Sequence, residues 1–116
     1  MEKIPYTGTS LRDGNPIITW ELKADSEGAP LDTHDLKILS VAFEAEDGLF
    51  HGAEASLMGA IGDKFHFLTT PNGDFVSTGT EAIKSVSGRY IKVMPRILGG
   101  SDKTNITVTL FARKLR

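Results

Sequence analysis

Apolar and polar residues alternate one for one along several stretches of this 116-residue chain, and that period of two predicts β-strands. The clearest run sets Ile106, Val108, Leu110 and Ala112 on one face against Thr107, Thr109 and Arg113 on the other. β-Branched residues dominate it, as a pleated strand prefers. Phe111 falls on the polar face and predicts partial cover there. Residues 90–94 alternate with Ile91 and Val93 inward; Leu39, Val41, Phe43 and Ala45 alternate with Ser40, Glu44 and Glu46. Ile18, Trp20 and Leu22 alternate with Thr19, Glu21 and Lys23, and Phe65 and Phe67 are flanked by Lys64 and His66. Further strands are expected at 74–78 and 80–85.

Turn signals separate these stretches at Asp13-Gly14-Asn15-Pro16, Glu27-Gly28-Ala29-Pro30, Asp47-Gly48, Pro71-Asn72-Gly73, Ser87-Gly88 and Gly99-Gly100-Ser101-Asp102. Each has a mechanism: glycine permits positive φ, proline fixes φ, and Asn or Asp bonds its own backbone. The run Ala53-Glu54-Ala55-Ser56-Leu57-Met58-Gly59-Ala60-Ile61 resists the strand reading. It is rich in helix formers, with Leu57 and Ile61 four apart, although Gly52, Gly59 and Gly62 oppose more than two turns. A short helix and an irregular loop both fit 53–61.

Strands that must each bury one face predict an all-β fold, an antiparallel β-sandwich of jelly-roll type with about seven to nine short strands, forming one domain over residues 1–116. Residues 1–15 read as an extended or arm-like segment. The expected inward set is Ile18, Trp20, Leu22, Leu39, Val41, Phe43, Phe65, Phe67, Ile83, Ile91, Val93, Ile106, Val108 and Leu110. At roughly 1.5–3 kcal/mol per buried large apolar side chain, this set makes a sufficient core. It needs no disulfides, and the chain has no Cys. That absence also removes thiolate metal sites and cysteine nucleophiles.

Net charge is −2, unevenly spread: residues 1–58 carry 4 basic and 11 acidic side chains, and residues 59–116 carry 9 basic and 4 acidic. Opposed fields suit contacts between copies, whereas interleaving of the two halves in the fold would mix them. Nucleic acid is not expected as a partner, because phosphate binding calls for a concentrated basic face. Nor is a membrane, since no apolar run approaches the roughly 20 residues that span a bilayer.

No catalytic constellation is visible. His34, His51 and His66 belong to no metal-ligand or metalloprotease spacing, and no nucleophile elbow or phosphate loop occurs. Glu44, Glu46 and Asp47 before Gly48 invite a calcium reading but do not match an EF-hand, and a solvated strand face is the better account. No catalytic, cofactor or metal residue is therefore assigned. Trp20 is expected in the core rather than on a sugar-stacking surface. Arg113, Lys114 and Arg116 bring three positive charges within four residues, and are the candidate partner contacts.

Three pieces carry a family resemblance. Val41-Ala42-Phe43-Glu44-Ala45-Glu46-Asp47-Gly48 resembles the strand-then-DG segment of small β-sandwich virion proteins of tailed bacteriophages. Gly88-Arg89-Tyr90-Ile91-Lys92-Val93 resembles their penultimate strand. Gly99-Gly100, followed by the run from Asn105 to Lys114, resembles their terminal strand with its basic dipeptide. The similarity covers roughly residues 38–114. It implies a non-enzymatic virion protein, assembled in the host cytoplasm: a capsid decoration (cement) protein, commonly a homotrimer, that binds the major capsid protein or other virion proteins. A carbohydrate- or receptor-binding sandwich of a tail or fibre is the alternative.

Overall fold

The computed structural model describes residues 2–10, 14–88 and 90–115, the side chains of Glu2 and Ser10 excepted. Twelve strands in two sheets account for the regular structure of these residues, and no helix occurs among them. The first sheet is built from β1 (Glu2–Ile4), β4 (Ser26–Gly28), β11 (Lys92–Leu98), β7 (Glu54–Ala60) and β8 (His66–Phe67), in that order. The short β5 (Leu31–Asp32) also pairs with β11, and β9 (Ser77–Thr78) with β7. The second sheet runs β10 (Ala82–Ser85), β6 (Leu36–Ala45), β12 (Ile106–Lys114), β3 (Pro16–Leu22) and β2 (Thr7–Ser10). All pairings are antiparallel except β1 with β4. The expected all-β sandwich is present. Residues 2–10, within the stretch read as extended or arm-like, edge both sheets as β1 and β2.

Both sheets turn one face inward. Ile18, Trp20 and Leu22 of β3, Val41 and Phe43 of β6, Val93 and Ile97 of β11, and Ile106, Val108 and Leu110 of β12 meet there, all buried. Sequence alternation identified these residues apart from Ile97. It failed at Leu39, Phe67, Ile83 and Ile91, which are exposed, and at Phe65, which is only half-buried. At Leu39 the cause is a bulge. Phe111 pairs with Ser40 but Ala112 pairs with Ile38, so one residue of β6 is left over and parity reverses. Ile38 is then inward and Leu39 is not.

The 53–61 segment corrects a second expectation: most of it is a central strand, neither a short helix nor an irregular loop. β7 lies between β11 on one side and β8 and β9 on the other, and every residue from Ala55 to Ala60 is buried. With both faces covered, the period of two vanishes from its sequence, as in other strands buried on two sides. Crowding accounts for its small residues. A Cβ on Gly59 would stand 2.5 Å from Leu68 Cδ2 and 3.3 Å from Tyr90 Cγ. Gly59→Ala is therefore expected to lose about 1 kcal/mol, part of the clash being relieved by movement of Leu68. A helical segment would gain up to about 1 kcal/mol from the same change, so the direction of the shift in urea midpoint decides.

β11 continues through Pro95, where the sequence reading stopped at Met94. Proline cannot donate to a ladder and is rare inside central strands. Here Pro95 opposes Leu57 of β7, whose N–H donates to Val76 and whose carbonyl accepts from Leu68 on the far side. On its other flank β11 pairs with β5 at Lys92 and Val93 and with β4 at Arg96 and Ile97, leaving the position opposite Pro95 unpaired. The missing N–H falls in that break.

Candidate interaction surfaces

The outward side of the second sheet is ordered by its registers into rows that cross the strands. Ile83, Ala42, Thr109, Thr19 and Thr7 form one row, from β10 to β2. Ser85, Ser40, Phe111, Ile17 and Thr9 form the next. Neither row contains a charge. Beyond the first, Glu44 and Glu21 flank Thr107; beyond the second, Arg113 pairs with Lys37. Ile83, expected inside, is 75% exposed at the edge of this face. The exposed bulge residue Leu39 lies beside Ser40.

These registers place the sequence-predicted partner contacts. Arg113 and Lys114 are ladder residues of β12, opposite Lys37 and Leu36, and the Lys114 N–H donates to Asn15 Oδ1 at 3.4 Å. Strand alternation sends them to opposite sides: Arg113 joins Thr107, Thr109 and Phe111 outward, while Lys114 follows the inward set at the end of the strand. Arg116 lies outside the described residues, as does Arg89 of the resemblance motif. The acidic and basic halves of the chain interleave, because β6 of the first half sits between β10 and β12 of the second. On the outward side of the second sheet the charges sort by end instead: Glu44 and Glu21 stand where β12 begins, and Lys37 and Arg113 where it ends.

Two features were not legible as surface in the sequence. Phe67 and Phe75 stack with ring centroids 5.1 Å apart while 39% and 61% exposed. Phe67 stands opposite Met58 of β7, which pairs in turn with Met94 of β11. An apolar strip thus crosses the outward side of the first sheet and ends in two open aromatic rings. At the other feature, where β6 begins and β12 ends, a groove of about 840 Å³ opens. Ile38, Ile61, Val86, Tyr90 and Leu115 line it, with His34 and Lys37 at hand. Burial pushes the Tyr90 phenol up to about 12.

The acidic residues before Gly48 do not converge. Glu46 Oε2 accepts from Asn105 Nδ2 at 2.6 Å, Asp47 Oδ1 accepts from the Leu49 N–H at 3.0 Å, and Asp47 Oδ2 lies 2.6 Å from His51 Nε2. Glu44 is on the outward row described above. Among the described residues, no group of three His, Asp or Glu side chains is placed to hold a metal ion. The His51 and Leu49 bonds hold the Asp47 carboxyl below its ordinary value of 3.8. A depressed carboxyl contributes stability that is present above its unfolded pKa and lost as pH falls through the lower folded one. Asp47→Asn should accordingly lower the urea midpoint at about pH 7 more than at about pH 3, narrowing the gap between the two; an unchanged gap would show that the bond does not stabilise the fold.

No protein-family model matches the chain, and neither does any curated protein sequence. A solved structure does. The SPBc2 prophage-derived protein YomS superposes with a TM-score of 0.58 over 93% of this chain and 93% of its own, at 16% identity. The two share a fold. A cupin domain from Bordetella pertussis Tohama I (TM-score 0.38, 13% identity, 97% of this chain and 98% of that one) is more distant. So is procruciferin, an 11S globulin of Brassica napus (TM-score 0.37, 13% identity, 85% and 21%).

Proposed function

We propose that this chain is a non-enzymatic structural component of a tailed-phage particle, a decoration protein that docks on the assembled shell. The observation that carries the reading is the shared fold with a prophage-derived protein along 93% of both chains. The motif resemblance over residues 38–114 points the same way. Cement action requires a rigid body with adhesive surfaces and no chemistry. Binding the assembled shell but not its free subunits stabilises the shell by mass action. The core supplies the rigidity, and the outward sheet faces supply the surfaces. The major capsid protein, or another virion protein, is the expected partner.

Particles purified from cells in which the encoding phage multiplies provide the test. The chain should appear by mass spectrometry in stoichiometric amount, and in tailless shells as well as whole virions. Its absence from particles would overturn the reading; its presence only in tailed particles would move it from shell to tail. The open Phe67–Phe75 stack favours a second reading, a carbohydrate- or receptor-binding module, because flat aromatic faces stack on sugar rings. Glycan binding that is abolished by Phe75→Ala, in a chain absent from particles, would establish it.

A further inference from the structure

We propose that the outward side of the second sheet is the contact through which a second copy of this chain docks, about a two-fold axis that lies in the interface and runs across the strands. The two central rows hold no charge, although exposed sheet faces ordinarily carry charges freely. A charge-depleted centre with charged residues at its margins is the composition of a protein interface. Ile83, at the edge-strand end of the first row, and the half-buried Phe111 in the middle of the second give these rows apolar area. Among the described residues, none of Glu21, Glu44, Lys37 and Arg113 has an ion-pair partner within the chain. Their charges remain available to a neighbour.

The arrangement of those charges selects the occupant. A partner must present base opposite Glu44 and Glu21 and acid opposite Lys37 and Arg113. The two sets lie about 20 Å apart, being six residues of strand from Thr107 to Arg113. Between them the partner must be flat and neutral. This face meets its own specification. Rotation about an axis across the strands lays β6 on β6 with its ends exchanged, so that Glu44 of one copy comes over Lys37 of the other. Rotation about an axis along the strands would lay acid on acid, and like charges reject that alternative. The self-complementary contact is the isologous kind that closes with two copies. Five strands spaced about 4.8 Å over a length of about 20 Å give roughly 500 Å² of flat area per copy, hence about 1,000 Å² in the pair. That is the lower limit of a specific interface, so a reversible, salt-sensitive dimer is expected rather than an obligate one. The inference concerns the free chain and stands apart from any role in a particle.

Sedimentation velocity on the purified chain, across a concentration series in about 50 mM NaCl, should show a species of twice the 12.6 kDa chain mass. Raising NaCl to about 500 mM should weaken association about tenfold, since exposed charges are then screened. Glu44→Lys should weaken it at least about tenfold by placing like charges together, and adding Lys37→Glu should restore it. Both positions are exposed, so melting temperature serves as the check that each variant folds. A monomer at every concentration, a trimer, or a dimer indifferent to Glu44→Lys would overturn the proposal. So would a failure of the double variant to recover.

Discussion

Replacing Trp20 with alanine should remove about 4 kcal/mol of stability, the largest loss expected from a single truncation in this chain. The side chain is fully buried between the sheets, and it is the largest one there. Its Nε1–H donates to the Ala29 carbonyl at 3.1 Å, and its ring meets Tyr6 edge to face with centroids 5.6 Å apart. Truncation loses the transfer free energy of the indole and leaves a cavity that backbone-anchored neighbours cannot fill. For a domain of this length the melting temperature should fall by about 15 °C. Trp20→Phe separates the two contributions. It keeps most of the apolar volume and leaves the Ala29 carbonyl without its donor, a loss of about 1–2 kcal/mol. Equilibrium urea unfolding reads both. A loss below about 1 kcal/mol for the alanine variant would mean that Trp20 does not hold the sheets together.

Gly28→Ala should cost about 3 kcal/mol, although it adds one methyl group. A Cβ there would stand 2.5 Å from Trp20 Cδ1 and 2.6 Å from both Cδ and Cγ of Pro95. Both obstacles are rings. Trp20 is fixed by its hydrogen bond, and Pro95 is fixed by its place in β11. Nothing at the site can swing aside, in contrast to Leu68 beside Gly59. Gly8, on the edge strand β2, provides the control: a Cβ there meets no atom within 4 Å, so Gly8→Ala should stay within about 0.5 kcal/mol of wild type. Equal effects at the two positions would show that flexibility of glycine, rather than close packing against Trp20, sets the cost. The effect also explains why Glu27-Gly28-Ala29-Pro30, read from the sequence as a turn signal, begins in a strand: the glycine serves close approach of β4 to the core.

The proposed dimer face and Trp20 lie on opposite sides of the second sheet. Trp20 and its inward neighbours on β3 hold the sandwich, while Thr19 and Glu21, between and beside them, face out. Surface variants such as Glu44→Lys therefore test association without touching the core. Arg113 and Lys114 need the same care. Because both belong to the β12 ladder, substitution probes their charge, whereas truncation would also remove backbone pairing to β6.

What the chain by itself determined is the class of fold and most of the central core. Strands β3, β6 and β12 each face solvent on one side, so burial wrote a period of two into their sequences that is legible without neighbours. The same alternation set Glu21, Glu44 and Arg113 outward, but not Lys37, which the parity of Leu39 would have turned inward; nor did it show which of these stand side by side, since pairing joins residues tens of positions apart. Tertiary structure alone decided the rest. β7 is covered on both faces and lost its period; Leu39 was displaced by a bulge that only the partner strand defines; Pro95 is tolerated because two short neighbours leave a gap beside it. Phe67 reads as core in sequence yet stacks on Phe75 in the open, because hydrophobicity records what a side chain avoids and not whether the fold has room to hide it.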